Sequence, residues 1–599
     1  MDLPDDNQIH RNPDMKTLTI LSSLFLLQVV SLVAADGPIL KTNVGEFEGK
    51  VLDFGELGTV DAFFGVTYAK APIAERRFEK PTDAEYVKRR SATVPKAACP
   101  QPDHFPNITY DEDCLHMDVF KPTAPSPDGK GYPVLFFIHG GGFLGGSAHL
   151  HSTDFFVKSI VSNGIVLVNI QYRLNILGFA STGPEAFNGN YGLWDQRKAL
   201  LFVRRNAKEF DIDVKRITAG GYSAGSASVG MLSISEQTRD LFSQAIQMSG
   251  SPFGEWATSN KAVILTEKIA TALECNGQSS VEVKRCLKKK SYEELNDAFH
   301  SNIDKNDFNL GQFSPRLDAE FFSTDFPELI SSAPPKPSLF TITENEGAMF
   351  TLYDPMSFFN EHVLTDEQKA KFGAKDFKAF VKTKLATEAV FGNKASEVQK
   401  KIIKFYLDTD RKTDRLFYLE MYSKLISDIL FVVPQLLEVR HKTTAGWPIY
   451  MLKNTHFIPT LSFGGNRKLP TGIPQQTTHG YEYGVLFELP VYSRELTAED
   501  KKFQKNLLDS IVNFVKNKFV CLETTKFHCF RTPKTDEQPE FQVVDSDHPL
   551  VYSEVSDKVE AKNALFPEEL RFWDQMTKSY DFDLIRGIDR RTRRSRTEL

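Results

Sequence analysis

The chain has 599 residues, of which 41% are hydrophobic and 25% charged. This balance is typical of globular proteins and excludes disordered, fibrous and multi-span membrane chains. The formal net charge is −6, from 72 basic and 78 acidic residues, and so small a bias does not predict nucleic acid or another polyanion as a partner. A large packed core is therefore expected.

Residues 1–35 have the features of a cleaved signal peptide. A basic residue, Lys16, precedes the apolar run 18–33, and two small alanines follow it. The run is short for a membrane span and contains polar side chains, so we favour a signal peptide over a membrane anchor. The polar stretch 1–14 is an upstream extension that translation from Met15 would omit. No later segment has the apolar length of a span, and we expect a mature chain of the secretory pathway without a transmembrane span.

Six cysteines in an exported chain predict disulfide bonds. Proximity along the chain favours three pairs, which are Cys99 with Cys114, Cys275 with Cys286, and Cys521 with Cys529. Because six cysteines allow about fifteen connectivities, proximity alone leaves the pairing open. The sequon that starts at Asn107 lies inside the first pair and predicts a glycan on an exposed loop.

Short apolar runs, rich in β-branched and aromatic residues, are typical of buried strands. They are residues 132–138, 165–170, 216–219, 245–248, 339–343 and 449–452. Longer helical or irregular stretches separate these runs. Strands that alternate with crossovers predict an α/β fold, with a mostly parallel central sheet and helices on both faces.

Two further stretches are predicted to be helical. Residues 355–442 are charged and helix-forming with apolar spacing, and we interpret them as an inserted helical region. Residues 500–518 place apolar side chains near one face of a helix, which packs on the core or, as the alternative, forms a homodimer. The tail 586–599 contains six arginines and is expected to be a solvated end.

The pentapeptide GYSAG at 221–225 matches the pattern G-x-S-x-G. It follows the strand predicted at 216–219 and precedes a run of small residues that can open a helix. A strained strand-to-helix turn needs glycines on both sides of the serine, because neighbouring side chains would collide there. This setting makes Ser223 the candidate nucleophile.

A second glycine motif, HGGGF at 139–143, follows the strand predicted at 132–138. Acyl transfer needs donors aimed at the negative oxygen of its tetrahedral intermediate, and glycines let backbone N–H groups approach that oxygen. Gly141, Gly142 and Ala224 are therefore the candidate oxyanion-hole donors. A flexible glycine turn is the alternative interpretation.

The candidate acid and histidine follow the serine if these groups occur in the order serine, acid, histidine. His479 lies in a turn-rich stretch, unlike the other downstream histidines, which are His300, His362, His441, His456, His528 and His548. Glu346 follows the strand predicted at 339–343, where a carboxylate can reach the top of the sheet, and Glu344 competes with it. The residues alone leave both carboxylates open.

Several blocks, in order, resemble the cholinesterase and carboxylesterase family, the type-B carboxylesterases of the α/β-hydrolase fold. The blocks are Phe64-Gly65-Val66 through Pro72, Glu112-Asp113-Cys114-Leu115, Tyr172-Arg173-Leu174 and Asn190-Tyr191-Gly192-Leu193-Trp194-Asp195-Gln196. The resemblance implies a catalytic triad of Ser223, Glu346 and His479. It also implies that the first two cysteine pairs are bridged, whereas the third is less typical, and that 36–585 form one catalytic domain with long insertions.

The resemblance implies a serine carboxylesterase that acts on small-molecule esters and needs neither a metal nor an organic cofactor. Two features depart from the family pattern. The residue before the nucleophile, commonly glutamate in the family, is Tyr222, and the first cysteine loop lacks the tryptophan on which a choline site depends. A dedicated acetylcholine esterase is therefore disfavoured.

Two other functions remain as alternatives. An amidase or thioesterase could use the same site, and a catalytically silent adhesion protein of the neuroligin type could keep the fold. The retained triad and the missing span disfavour the silent protein. The final residues 596–599, RTEL, partly resemble the H-x-E-L retrieval signals of vertebrate carboxylesterases, which leaves retention in the endoplasmic reticulum lumen and full secretion open.

Overall fold

The computed structural model describes residues 37–102, 108–149, 153–183, 186–304, 307–308, 311–353, 362–410, 413–458, 472–487, 495–517, 543–544 and 548–591. The predictions for the signal peptide, Asn107, Cys521, Cys529, His528 and the end of the arginine-rich tail lie outside these residues. Within the described ranges, no helix is both long enough and apolar enough to cross a membrane.

The strands are β1 (Ile39–Thr42), β2 (Gly45–Glu48), β3 (Lys50–Asp53), β4 (Thr59–Thr67), β5 (Val87–Ser91), β6 (His116–Pro122), β7 (Tyr132–Ile138), β8 (Val166–Ile170), β9 (Ile212–Tyr222), β10 (Gln244–Met248), β11 (Ser338–Thr343), β12 (Ile449–Asn454), β13 (Val543–Val544), β14 (Tyr552–Val555), β15 (Val559–Lys562), β16 (Phe582–Asp583) and β17 (Ile588–Asp589).

The α-helices are α1 (Thr153–Ile160), α2 (Asn175–Phe179), α3 (Tyr191–Arg205), α4 (Ala224–Ile234), α5 (Lys261–Ala272), α6 (Ser280–Leu287), α7 (Tyr292–Asn302), α8 (Phe326–Ser332), α9 (Ala348–Thr351), α10 (Asp366–Lys371), α11 (Ala374–Phe380), α12 (Glu388–Phe391), α13 (Ala395–Leu407), α14 (Arg415–Ser427), α15 (Val433–Thr444), α16 (Tyr481–Phe487), α17 (Ala498–Lys516) and α18 (Pro567–Ser579).

One large sheet organises the fold. Its strand order is β15-β14-β12-β11-β10-β9-β7-β8-β6-β4-β3, with β13 paired to β12. Neighbours from β14 to β8 are parallel, and the pairs outside this run are antiparallel. The expected α/β class with a mostly parallel centre is confirmed. Because these strands are parallel, their carboxyl ends meet at one edge of the sheet.

The central strands are buried on both faces because their side chains alternate between the faces. In β7, Val134, Phe136 and Ile138 join one apolar cluster, whereas Leu135 and Phe137 join the other. Every residue of β7 is buried. This burial explains why the strand is apolar throughout instead of alternating with polar residues.

Each predicted apolar run coincides with a strand of the large sheet, although β8 begins one residue after the start of the run 165–170. β9 begins at Ile212, before the predicted 216–219, because Ile212 already pairs with Tyr132 of β7. The register between β7 and β9 shifts after this pair. The sequence does not single out the antiparallel strands β3, β4 and β6, which extend the sheet on one side. The boundaries of the single catalytic domain remain a prediction.

The predicted helical region contains α10 to α15 and two π-helical segments, Val381–Leu385 and Asp428–Val432. α17 begins with a capping box formed by Thr497 and Asp500. Most of its apolar residues are buried, and the helix contacts strands β7, β9 and β14. The helix therefore packs on the core, as the first interpretation of its apolar face expects.

Two disulfide bonds close loops in the described residues. Cys99 is joined to Cys114, with Cα atoms 5.0 Å apart, and Cys275 is joined to Cys286, with Cα atoms 5.5 Å apart. These are the pairings that the family resemblance implies.

Candidate active site

Ser223 occupies a strained turn between β9 and α4. Its φ is 56° and its ψ is −119°, a conformation that costs free energy for a residue with a side chain. A Cβ atom at Gly221 would collide with the backbone of Gly225, and one at Gly225 would collide with the carbonyl oxygen of Ile138. The two glycines therefore let β9 turn sharply into α4 against β7.

His479 connects the serine to a carboxylate. Its Nε2 lies 2.9 Å from Ser223 Oγ, and its Nδ1 lies 2.8 Å from Glu346 Oε2. All three side chains are buried. The structure thus brings together Ser223, Glu346 and His479, which are separated by more than a hundred residues at each step along the chain.

The two carboxylates that the sequence leaves open take different positions. Glu346 faces His479, whereas Glu344 lies within the electrostatic influence of Lys453 and Glu554, and burial raises the pKa of Glu344. Among the other histidines, His456 contacts Asp500 through Nε2 at 2.8 Å. The geometry favours Glu346 as the partner of His479.

Glu346 is held by hydrogen bonds from elements on either side. Its Oε1 accepts from the backbone N–H of Thr343 at the end of β11 and from the hydroxyl of Ser249 just after β10, both at 2.7 Å. Both of these donors are neutral, so they orient the carboxylate without neutralising it, and its negative charge can stabilise a protonated imidazole.

A second buried carboxylate, that of Glu482, lies on the other side of the Ser249 hydroxyl from Glu346. Its Oε1 is 2.7 Å from the hydroxyl of Ser249 and 2.9 Å from that of Thr341. Burial, followed by the negative charge of Glu346, raises the pKa of Glu482 to about 7. Sequence reasoning missed Ser249 and Glu482, because neither residue stands in a recognisable motif and only the fold brings them together.

The glycine motif after β7 runs against the serine. Gly141 and Gly142 have φ values of 117° and 60°, and a Cβ at Gly140 would lie 2.9 Å from the Cβ of Ser223. Ala224 is the first residue of α4, so its N–H has no acceptor within the helix. The candidate donors Gly141, Gly142 and Ala224 therefore belong to two turns that meet at Ser223.

Aromatic rings enclose the imidazole of His479. The ring centroids of Phe431, Tyr222 and Phe350 lie 4.3, 5.0 and 5.2 Å from that of His479. Phe431 belongs to the π-helical segment Asp428–Val432. The indole N–H of Trp256 donates to the carbonyl oxygen of Leu430 in the same segment, at 2.7 Å. In the described residues, no group of three His, Cys, Asp or Glu side chains is placed to hold a metal ion.

A serine on a strand-to-helix turn, facing a histidine and a carboxylate above a parallel sheet, defines an α/β-hydrolase architecture. Residues 36–573 match the Carboxylesterase family, and the chain belongs to that family. It is accordingly a carboxylic ester hydrolase.

Two relatives match most of the chain, and a third matches about half of it. Gut esterase 1 of Caenorhabditis elegans is 31% identical over 579 residues, covering 94% of this chain and 97% of that protein. Pyrethroid hydrolase Ces2a of Mus musculus is 26% identical over 584 residues, covering 94% and 96%. Neuroligin-2 of Mus musculus is 32% identical over 334 residues, which cover 49% of this chain and 39% of that protein.

Proposed function

We propose that the protein is a serine carboxylesterase that hydrolyses small-molecule carboxylic esters through an acyl-enzyme at Ser223. The observation that carries this proposal is the continuous contact from Ser223 Oγ through His479 to Glu346, with distances of 2.9 and 2.8 Å. A general base within hydrogen-bond reach of a nucleophile, itself oriented by a carboxylate, is the arrangement that activates serine.

The reaction begins when His479 takes the proton of Ser223, whose Oγ attacks the ester carbonyl carbon. The carbonyl oxygen becomes an oxyanion, and Gly141, Gly142 and Ala224 donate backbone N–H groups to it. The intermediate collapses when the C–O bond to the alcohol breaks and the imidazolium gives its proton to the leaving alkoxide. Glu346 holds the imidazole in one tautomer and stabilises its positive charge.

Hydrolysis of the acyl-enzyme repeats these steps with water as the nucleophile. His479 takes a proton from water, the hydroxide oxygen attacks the acyl carbon, and the same N–H groups bind the second oxyanion. The bond to Ser223 Oγ then breaks, the serine regains its proton, and the carboxylic acid leaves. No step calls for a metal or an organic cofactor.

The test is turnover of p-nitrophenyl acetate and butyrate by the mature wild type and by Ser223→Ala, with a fluorophosphonate probe reporting covalent labelling. We expect Ser223→Ala to lose at least about 10⁴-fold in kcat and all labelling, because the nucleophile is absent. Ser233→Ala is the matched control, since Ser233 lies in the same helix α4 and donates to the carbonyl oxygen of Val229.

The outcomes separate the candidate functions. A folded wild type that neither turns over nor labels would contradict the proposal and favour the silent adhesion protein, which the partial match to Neuroligin-2 keeps as the second candidate. A wild type that labels but prefers thioesters or anilides to the matching esters would assign a thioesterase or amidase to the same site.

The disulfide bonds support a location in the secretory pathway, where oxidised cysteines persist. We place the protein there, either secreted or held in the endoplasmic reticulum lumen. Immunodetection in the medium and in the lumen of expressing cells measures the division between the two.

A further inference from the structure

Tyr222 is partly buried and packs against the core, although it directly precedes the serine. It is the last residue of β9, and its ring is stacked on Tyr483 of α16, with centroids 4.7 Å apart and 5° between the planes. Tyr483 is stacked in turn on Phe137 of β7, at 5.7 Å and 5°. Tyr483 and Phe137 are both buried, so a column of rings fixes the orientation of Tyr222.

The same ring fills space that two glycines leave open. A Cβ at Gly480 would lie 2.5 Å from the hydroxyl oxygen of Tyr222, and a Cβ at Gly140 would lie 2.8 Å from its ring carbon Cδ1. Gly480 follows His479, and Gly140 belongs to the glycine motif after β7. The Tyr222 ring therefore packs against the turns that carry the histidine, the serine and the candidate oxyanion donors.

Packing matters for His479 because its hydrogen bonds do not fix the imidazole completely. Bonds from Nε2 to Ser223 and from Nδ1 to Glu346 define a line through the ring, and rotation about that line keeps both contacts. The bond to Cβ and the neighbouring side chains together therefore set how far the plane of the imidazole can tilt. The Tyr222 ring is one of these neighbours, with centroids 5.0 Å apart and 37° between the planes.

We infer that Tyr222 is a positioning residue of the esterase site: its ring, held by Tyr483, keeps the His479 imidazole in line between Ser223 and Glu346. The inference rests on the proposed function. It assigns a role to an aromatic ring at the position where the family pattern commonly has a carboxylate. The negative charge in contact with His479 then comes from Glu346.

Variants that keep or remove the ring test the positioning role directly. Tyr222→Phe keeps the stack and is expected to retain kcat for p-nitrophenyl butyrate within about threefold of the wild type. Tyr222→Leu keeps an apolar side chain without the ring, and we expect kcat to fall about 10- to 100-fold while KM changes less than about threefold, because a misplaced base slows chemistry more than binding. Thermal midpoints of both variants check that they fold.

A charge pair of variants tests whether this position faces the base. Glu346 contacts His479, Glu482 lies beyond Ser249, and the phenols of Tyr222 and Tyr483 are the other titratable groups of the column. A carboxylate about 5 Å from the imidazole favours its protonated form. The acidic limb of kcat/KM is therefore expected about one pH unit higher in Tyr222→Glu than in Tyr222→Gln.

The inference and the proposed function fail in different ways. A wild type without turnover or labelling would contradict the esterase function itself. An active wild type whose kcat is matched by Tyr222→Leu would show that the ring does not position His479. Coinciding acidic limbs for Tyr222→Glu and Tyr222→Gln would likewise overturn the inference, because the side chain at 222 would not face the base.

Discussion

Two of the buried charge pairs among the described residues are equally hidden from solvent but differently built. The Arg173–Asp195 pair and the proposed catalytic pair His479–Glu346 each have side chains 2% and 0% exposed, respectively. In the first, Nε and Nη2 of Arg173 bind the two oxygens of Asp195, both at 2.7 Å. Burial raises the pKa of Asp195, and the guanidinium opposes that rise.

The difference between the pairs concerns the proton. Arginine keeps its charge at any ordinary pH, so the Arg173–Asp195 contact is a fixed ion pair that joins the segment after β8 to α3. In the other pair, neutral donors from Ser249 and Thr343 orient Glu346, and the partner is a histidine that can gain and lose a proton. Equal burial therefore serves structure in one pair and, in the proposed mechanism, proton transfer in the other.

Glu346→Gln is expected to give the largest effect on activity. The amide oxygen can still accept from Ser249 and Thr343, but its NH2 group would face Nδ1 of His479 and impose the tautomer with a proton on Nε2. We expect kcat to fall about 10³- to 10⁴-fold, as the loss of the correct tautomer does in serine hydrolases. Steady-state kinetics with p-nitrophenyl butyrate measures the fall, and the thermal midpoint should stay within about 3 °C of the wild type.

Asp195→Asn is expected to lower stability while the folded protein keeps its reactive serine, the opposite of what is expected for Glu346→Gln. Removing the carboxylate leaves the guanidinium of Arg173 buried without its counter-charge, which typically costs about 3–5 kcal/mol. Thermal unfolding should therefore begin several degrees lower, while the fraction that remains folded labels with fluorophosphonate. An unchanged midpoint for Asp195→Asn, or a large loss of stability for Glu346→Gln, would break the distinction between the two pairs.

Sequence reasoning works where the chemistry is local. The turn at Ser223 could be predicted because the glycines that its backbone needs lie within five residues of sequence. The central strands could be predicted from the apolar runs because a strand buried on both faces has no polar positions. The antiparallel strands β3, β4 and β6 lack so clear a signal. In β3 every residue is exposed or only partly buried, so its pattern does not differ from that of a loop.

Contacts between distant residues could not be predicted in this way. Glu344 and Glu346 stand at the same strand end, and the residues alone do not decide which of them meets His479. The Arg173–Asp195 pair joins two blocks that carry the family resemblance, yet nothing in either block predicts their contact. Ser249 and Glu482 lie 233 positions apart, and only the ends of β10 and the start of α16 bring them together.

Glu482→Gln is expected to have the smallest effect of these substitutions, and it tests how the neutral donors orient Glu346. The hydroxyl of Ser249 has one proton but lies 2.7 Å from carboxylate oxygens of both Glu346 and Glu482. Both contacts are satisfied when Ser249 donates to Glu346 and a protonated Glu482 donates to Ser249. Because burial and the charge of Glu346 raise the pKa of Glu482 to about 7, this arrangement prevails below that pH.

The raised pKa makes stability depend on pH with a definite sign. Unfolding returns Glu482 to its ordinary pKa of 4.5, so between that value and about pH 7 the folded chain holds the extra proton. Its contribution to the free energy of unfolding therefore falls as the pH rises through this window, by at most about 1.4 kcal/mol per pH unit. Glu482→Gln removes the titrating group, so its thermal midpoint should fall less steeply from pH 5 to 7.

Glu388→Gln, at an exposed position in α12, is the matched control and should follow the wild-type profile. Identical pH profiles for the wild type and Glu482→Gln would mean that Glu482 is already ionised at low pH. Ser249 would then divide its single proton between two charged carboxylates, and the orientation of Glu346 would depend mainly on the backbone N–H of Thr343.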